Sequence, residues 1–171
     1  MYTYLVGAAI CAGACAGDIR EYRIPNGLIL LGYAAGSFFS YLREGSRFFP
    51  AFAWNALWPL ILLYFLFYIG AMGSGDVKLI SVSSTFLGPP LTLRLILLSI
   101  AIGGAFALIK MVKGRDLFFR LSHLSQHVRL CLAEKRLIPY VSCGTCSELH
   151  FAVPITISYL FIILFSTLRG M

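Results

Sequence analysis

The stretch "WPLILLYFLFYIGAMGSGDVKL", residues Trp58 to Leu79, joins a long apolar run to a single aspartate set between glycine and lysine neighbours. The run belongs to an apolar segment that we predict over Ala51–Ile69. No other acidic residue occurs between Glu44 and Asp116, so Asp76 is an isolated charge in an apolar region. An acidic residue within an apolar membrane region usually has a functional role.

The composition predicts a membrane protein built from helices. The chain has 171 residues, of which 59% are hydrophobic and only 12% charged, whereas soluble domains carry about 25% charged residues. We expect an all-α polytopic helix bundle that forms a single membrane-embedded domain over residues 1–171. Six apolar runs suggest about six transmembrane segments: Thr3–Gly17, Leu28–Leu42, Ala51–Ile69, Val77–Leu91, Leu93–Ile109 and Phe151–Leu168.

Local signals refine this layout. The sequence "FLGPP" predicts that the fourth segment ends near Gly88, because Pro89 lacks a backbone donor and glycine permits an unusual turn. Small residues in the first two segments would let helix backbones approach closely, namely Gly7, Ala8, Gly13, Ala14, Gly32 and Gly36. Between residues 113 and 150, leucines spaced three or four apart predict a cytoplasmic loop with a basic amphipathic helix on the membrane surface.

The net charge of +7 has a topological interpretation in such a chain. If the segments alternate, most of the 14 lysines and arginines fall on one face, which the positive-inside rule makes cytoplasmic. We therefore expect a multi-pass protein of the cytoplasmic (inner) membrane. Its basic residues would contact the lipid bilayer, and nucleic acid is not an expected partner.

A second aspartate stands in "GDIREYRIPNGL", residues Gly17 to Leu28. Asp18 ends the first segment, and two apolar segments separate it from Asp76, so two crossings return the chain to the same face. Two neighbouring carboxyl groups cannot both ionise cheaply, so one keeps a proton while the other stays charged. The charged carboxylate can activate water, and the protonated one can stabilise the oxygen of a scissile carbonyl.

The neighbours of the two aspartates fit the same interpretation. Gly73 and Gly75 would let a peptide backbone approach Asp76. Asn26 is a candidate cap for the second helix, and Lys78 is expected to reach the cytoplasmic surface, from which it could also bias the ionisation of the pair. The simpler alternative is that both aspartates only cap helices at the membrane interface.

Taken together, Asp18, the sequence Ile24-Pro25-Asn26 and the run Gly73-Ser74-Gly75-Asp76-Val77-Lys78 resemble the type IV prepilin peptidases, which are GxGD-type aspartic membrane proteases. The resemblance covers Gly17–Leu79, with a weaker likeness at "LHFAVPI" before the last segment. Longer members carry an N-terminal insertion with two cysteine pairs, and nothing corresponding lies between the first segments of this chain. The chain is therefore similar to the short members, which serve tight-adherence or related pili or act on archaeal-type preflagellins.

The resemblance implies an endopeptidase that removes short basic leaders from prepilin-like precursors at the cytoplasmic face. By motif, Asp18 and Asp76 would be catalytic, while Gly73, Gly75, Lys78, Pro25 and Asn26 would bind substrate or shape the active site. No cofactor or metal is expected, because the pair of carboxyl groups suffices for this chemistry.

Two further readings of the sequence stay open. His123 and His127, with Cys143 and Cys146, could form a tetrahedral zinc site, although ordinary residues of a reduced cytoplasmic loop are the favoured explanation. The chain could also be an ion- or proton-coupled transport protein, or a non-catalytic subunit of a pilus or secretion assembly. Against transport, both acids fall at one face and no inverted repeat is visible.

Overall fold

The computed structural model describes residues 2–113 and 150–169, and within these ranges the chain forms helices without a strand. The helices are α1 (Tyr2–Glu21), α2 (Asn26–Glu44), α3 (Phe48–Tyr68), α4 (Ser74–Leu87), α5 (Pro89–Lys113) and α6 (Ala152–Arg169), with a 3₁₀ turn at Gly45–Arg47 between α2 and α3. The predicted all-α class is confirmed.

Glycine and proline set the boundary between α4 and α5. Gly88 follows α4 with a φ of 78°, a left-handed value that favours glycine, and its N–H donates to the Ser84 carbonyl at 2.8 Å. Pro89 then begins α5. The predicted end of the fourth segment at "FLGPP" is therefore confirmed, although the helix stops at Leu87 and not at Leu91.

The start of α2 corrects one prediction. Asn26 does not cap this helix: Pro25 occupies the cap position with an extended backbone (φ −61°, ψ 126°), and no side chain makes a capping hydrogen bond. The Pro25 carbonyl instead accepts from the N–H groups of Leu28 at 3.0 Å and Ile29 at 3.3 Å. Because the Pro25 carbonyl accepts the first helical hydrogen bonds, Pro25 is the cap residue and Asn26 is the first residue of the helix.

Helix α4 forms the centre of the bundle. Every residue from Leu79 to Leu87 is buried, and α4 packs against α1, α2, α3 and α5. Two hydroxyl groups on α4 bond within the helix: Ser83 donates to the Leu79 carbonyl at 2.8 Å and Thr85 to that of Val82 at 2.7 Å. The Ser81 hydroxyl instead donates to the Ala56 carbonyl on α3. These bonds compensate for the burial of polar groups on a central helix.

Small residues make the close packing possible, as predicted. A Cβ added to Gly32 would lie 2.5 Å from Val82 Cγ1, and one on Gly36 would overlap Thr85. A Cβ on Gly7 would meet the ring of Tyr159, so α1 and α6 also approach closely at a glycine. These positions hold α2 against α4 and α6 against α1.

The surface of the bundle is apolar, as in a protein surrounded by lipid. On α3 alone, Trp54, Ile61 and Tyr64 are each more than 60% exposed. Contiguous apolar surface of this kind is rare on soluble monomers. By length and composition, three stretches could cross a membrane: Tyr2–Glu21, Asn26–Tyr68 and Pro89–Lys110.

The predicted count of about six segments stays a prediction. The stretch Asn26–Tyr68 contains α2 and α3, which pack against each other, so it holds two helices. Helix α4 has 14 residues, a length of about 21 Å, which is shorter than the roughly 30 Å of a bilayer core. The predicted loop and amphipathic helix, and the zinc candidates His123, His127, Cys143 and Cys146, lie outside the described residues.

Candidate active site

Two helix ends bring Asp18 and Asp76 to one cavity. Asp18 lies in the last turn of α1, and Asp76 lies in the first turn of α4. Both line a half-open cavity of about 360 Å³ whose other walls are Tyr22, Arg23, Ile24, Asn26, Gly73, Ser74, Gly75 and Lys78. The cavity is the polar end of an otherwise apolar bundle, so a peptide and water could reach both carboxyl groups there.

The carboxyl group of Asp76 is held against the start of its own helix. Gly73 is the cap residue of α4, and its backbone N–H donates to the Asp76 carboxyl group. This is the return half of a capping box, in which the third helical residue reaches back to the cap. Asp76 therefore does cap its helix, as the simpler alternative supposed. The capping hydrogen bond also fixes the carboxyl group at the cavity wall.

The protonation of Asp76 is shifted toward the neutral acid. Burial, and secondly the neighbouring charge of Asp18, raise the pKa of Asp76 from 3.8 to about 7 against the opposing effect of the hydrogen bond from Gly73. The contribution of Asp18 requires the two carboxyl groups to be electrostatic neighbours. At neutral pH a carboxyl group with this pKa holds a proton for a large fraction of the time.

The two glycines of the motif act differently. A Cβ added to Gly73 would lie 3.0 Å from Asp76 Oδ2, so a larger residue would press on the carboxyl group. A Cβ added to Gly75 would lie 3.4 Å from the Ile24 side chain, so this glycine allows the segment between α1 and α2 to pack on α4. Gly73 therefore shapes the site itself, and Gly75 shapes its wall.

The remaining predicted residues fall at or near the cavity. Lys78 and Asn26 are exposed and line it. Pro25 does not line it; its ring packs on the end of α1, where a Cβ on Gly17 would lie 2.9 Å from Pro25 Cδ. Pro25 thus supports the turn that carries the cavity residues from α1 to α2.

The sequence interpretation missed the partner of Asp18. His150 directly precedes the segment that begins α6, and its Nδ1 lies 3.6 Å from Asp18 Oδ2. The ring of Tyr22 stacks on that of His150 with centroids 4.5 Å apart. No spacing rule could pair these residues, because the contact depends on α6 packing against α1.

Over residues 2–113 and 150–169, a helical bundle with an apolar surface and one polar cavity at the helix ends defines the class of the protein as a membrane protein. Residues 5–108 match the model of the type IV leader peptidase family, and the chain belongs to that family. The chain is accordingly a peptidase. Comparison with curated proteins and with solved structures gave no match.

Proposed function

We propose that this protein is an aspartic endopeptidase of the cytoplasmic membrane, which cleaves the basic leader from type IV prepilin-like precursors at the cytoplasmic face. The observation that carries the proposal is the shared cavity of Asp18 and Asp76. Burial there raises the pKa of Asp76 to about 7, which agrees with a role as the protonated member of the pair. Family membership supports a leader peptidase in general. The pair of carboxyl groups supports the aspartic mechanism in particular.

The roles of the two carboxyl groups follow from their surroundings. Asp76 is the member that keeps a proton, since burial and the neighbouring charge of Asp18 raise its pKa. Asp18 is then the carboxylate that takes a proton from water while the water oxygen attacks the scissile carbonyl carbon. Asp76 donates to the carbonyl oxygen, which stabilises the tetrahedral intermediate. As the C–N bond breaks, the proton held by Asp18 passes to the leaving amine.

The cavity walls suit an extended peptide. Gly73 leaves room beside the Asp76 carboxyl group, and Ile24 provides an apolar wall against Gly75. Because the cavity opens at the ends of α1 and α4, a precursor whose cleavage site just precedes its own membrane helix could present that site there. Lys78 and Asn26 are placed to contact the substrate chain, and Pro25 holds the wall in place.

The experiment is co-expression with a candidate prepilin, followed by mass spectrometry of the pilin N-terminus. We expect a shortened pilin that begins immediately after the leader. A precursor that keeps its leader in the presence of the intact chain, although a known leader peptidase removes it, would overturn the proposal.

Ion-coupled transport is the second candidate, and the geometry disfavours it. A carrier carboxylate usually lies near the middle of the bilayer, whereas Asp18 and Asp76 lie at the ends of their helices. Substrate-dependent proton flux into proteoliposomes would favour transport. A non-catalytic assembly subunit predicts instead that neutral substitutions at both aspartates leave pilus assembly intact.

A further inference from the structure

His150 contacts Asp18 from the segment that leads into α6. The residue lies just before α6, and the packing of α6 on α1 brings its Nδ1 to 3.6 Å from Asp18 Oδ2. The side chains are 28% and 12% exposed, so the contact is largely shielded from water. His150 is not among the residues that line the cavity, so it is placed to act through Asp18 and not on a substrate.

Each of the two atoms lacks another partner. Within residues 2–113 and 150–169, Asp18 Oδ2 and His150 Nδ1 are buried and neither makes a hydrogen bond. A buried carboxylate oxygen without compensation is costly. At 3.6 Å the contact is too long for a hydrogen bond but short enough for an ion pair. The electrostatic attraction between the two side chains therefore depends on whether the imidazole is charged.

Tyr22 holds the imidazole in this place. Its ring stacks on that of His150 at an interplanar angle of 29°. Tyr22 also has a φ of 53°, a left-handed value that is uncommon for a residue other than glycine, and its N–H donates to the Asp18 carbonyl at 3.0 Å. The strained backbone thus closes α1 and points the aromatic ring at His150.

We propose that His150 is a positioning residue, which as an imidazolium holds Asp18 as the ionised member of the aspartate pair. The inference rests on the proposed function, since it assigns the proton between the two catalytic carboxyl groups. A cation beside Asp18 favours its carboxylate form and leaves the shared proton on Asp76. Among the described residues, α1 contributes Cys15, Asp18 and Tyr22 to the titratable and charged groups around this contact. Helix α4 contributes Asp76 and Lys78, and the turn after α1 contributes Arg23. Phe151 and the first turn of α6 carry no titratable side chain.

The first test is the pH profile of kcat/KM for cleavage by the wild type, His150→Gln and His150→Lys. Loss of the cation should move the acidic limb to higher pH, so cleavage at a pH on that limb falls relative to the wild type. His150→Lys restores a cation and should return the limb toward the wild-type position. A His150→Gln limb that coincides with the wild-type limb would overturn the inference, as a purely structural role changes the amplitude and not the midpoint.

The second test requires neither catalysis nor a variant at position 150. His123→Gln with His127→Gln leaves His150 as the last of the chain's three histidines, so one imidazole resonance can be followed by NMR in detergent. Asp18→Asn in this background removes the neighbouring carboxylate and should move the titration curve of that resonance to lower pH. An unmoved midpoint would contradict the inference.

The two measurements separate the inference from the proposed function. If the wild type cleaves prepilin but the titration curve of His150 is the same with and without Asp18→Asn, only the role of His150 is wrong. If the wild type does not cleave prepilin at all, the proposed function fails. The titration curve then still decides whether His150 and Asp18 interact electrostatically.

Discussion

Asp18, in the last turn of α1, and Asp76, in the first turn of α4, line one cavity although two complete helices separate them in the chain. Their meeting depends on α4, whose buried residues are enclosed by the neighbouring helices. Because both carboxyl groups stand on helix ends and not on loops, the packing of the bundle fixes their relative position. The predictions below test that packing, the ionisation of the pair and the chemistry in turn.

The pKa of Asp76 predicts a pH-dependent stability. The folded protein holds this proton up to about pH 7, whereas the unfolded chain releases it near 3.8, so Asp76 lowers stability as pH rises through this window. Asp76→Asn removes that loss, and its amide oxygen can still accept from Gly73. We expect the free energy of unfolding of Asp76→Asn, relative to that of the wild type, to rise by a few kcal/mol between pH 4 and pH 8. This follows from a pKa that folding raises from 3.8 to about 7.

Thermal unfolding in detergent at several pH values measures this difference. In an Asp18→Asn background the pH dependence should shrink, because the charge of Asp18 contributes to the shift. Parallel pH curves for the wild type and Asp76→Asn would contradict the raised pKa.

The same group predicts the basic limb of the activity profile. Asp76 must keep its proton to donate to the scissile carbonyl, so cleavage should decline as pH rises through about 7. The measurement is kcat/KM for a precursor peptide with no group that titrates between pH 6 and 9. Activity that climbs steadily through pH 9 would show that a protonated Asp76 is not required.

Gly73→Ala tests the contact between the cap residue and the catalytic carboxyl group. The added Cβ would lie 3.0 Å from Asp76 Oδ2, and at a φ of −70° the backbone accepts alanine without strain. We therefore expect kcat to fall by roughly 10- to 100-fold through a displaced carboxyl group, with little change in stability. Gly27→Ala, in the first turn of α2 with nothing within 4 Å of its added Cβ, is the matched control and should keep wild-type activity. Equal kinetics for the two variants would remove Gly73 from the site.

Gly32→Ala tests the close packing of α2 on α4. Its Cβ would lie 2.5 Å from Val82 Cγ1, a short and stiff side chain, so the helices must separate at a cost of about 1–3 kcal/mol. Val82→Ala in the same chain should recover part of that loss. Gly104→Ala on α5, where nothing lies within 4 Å, is the control. Unfolding in a denaturing detergent compares the variants, and a stable Gly32→Ala without repacking would contradict the described approach.

Much of the fold could be predicted because lipid imposes simple rules on sequence. Apolar runs located the helices, the glycine and prolines at Gly88–Pro90 located a helix end, and Gly32 and Gly36 marked a close helix contact. The cap of α2 was predicted wrongly, because asparagine is a common cap while the local backbone places Pro25 there. Propensity could not reveal that choice.

The candidate site divides in the same way. The even number of membrane crossings between Asp18 and Asp76 was enough to predict that both lie on one side of the membrane. In the structure both line one cavity. His150 and Tyr22 could not be found by such reasoning, since they meet Asp18 through the packing of α6 on α1 and through an unusual backbone angle at Tyr22. Contacts between helices distant in sequence leave no periodic signal in a single chain.

The most direct measurement of the central claim is the rate of precursor cleavage by purified Asp18→Asn and Asp76→Asn variants in detergent or proteoliposomes. Each substitution keeps the size of the side chain but removes an acid that activates water or donates to the carbonyl. The account predicts that each variant loses roughly 10²- to 10⁴-fold in kcat, while Glu44→Gln, an exposed acid at the other end of α2, keeps the wild-type rate. Wild-type cleavage by either aspartate variant, confirmed as folded, would contradict the assignment of Asp18 and Asp76 as the catalytic pair.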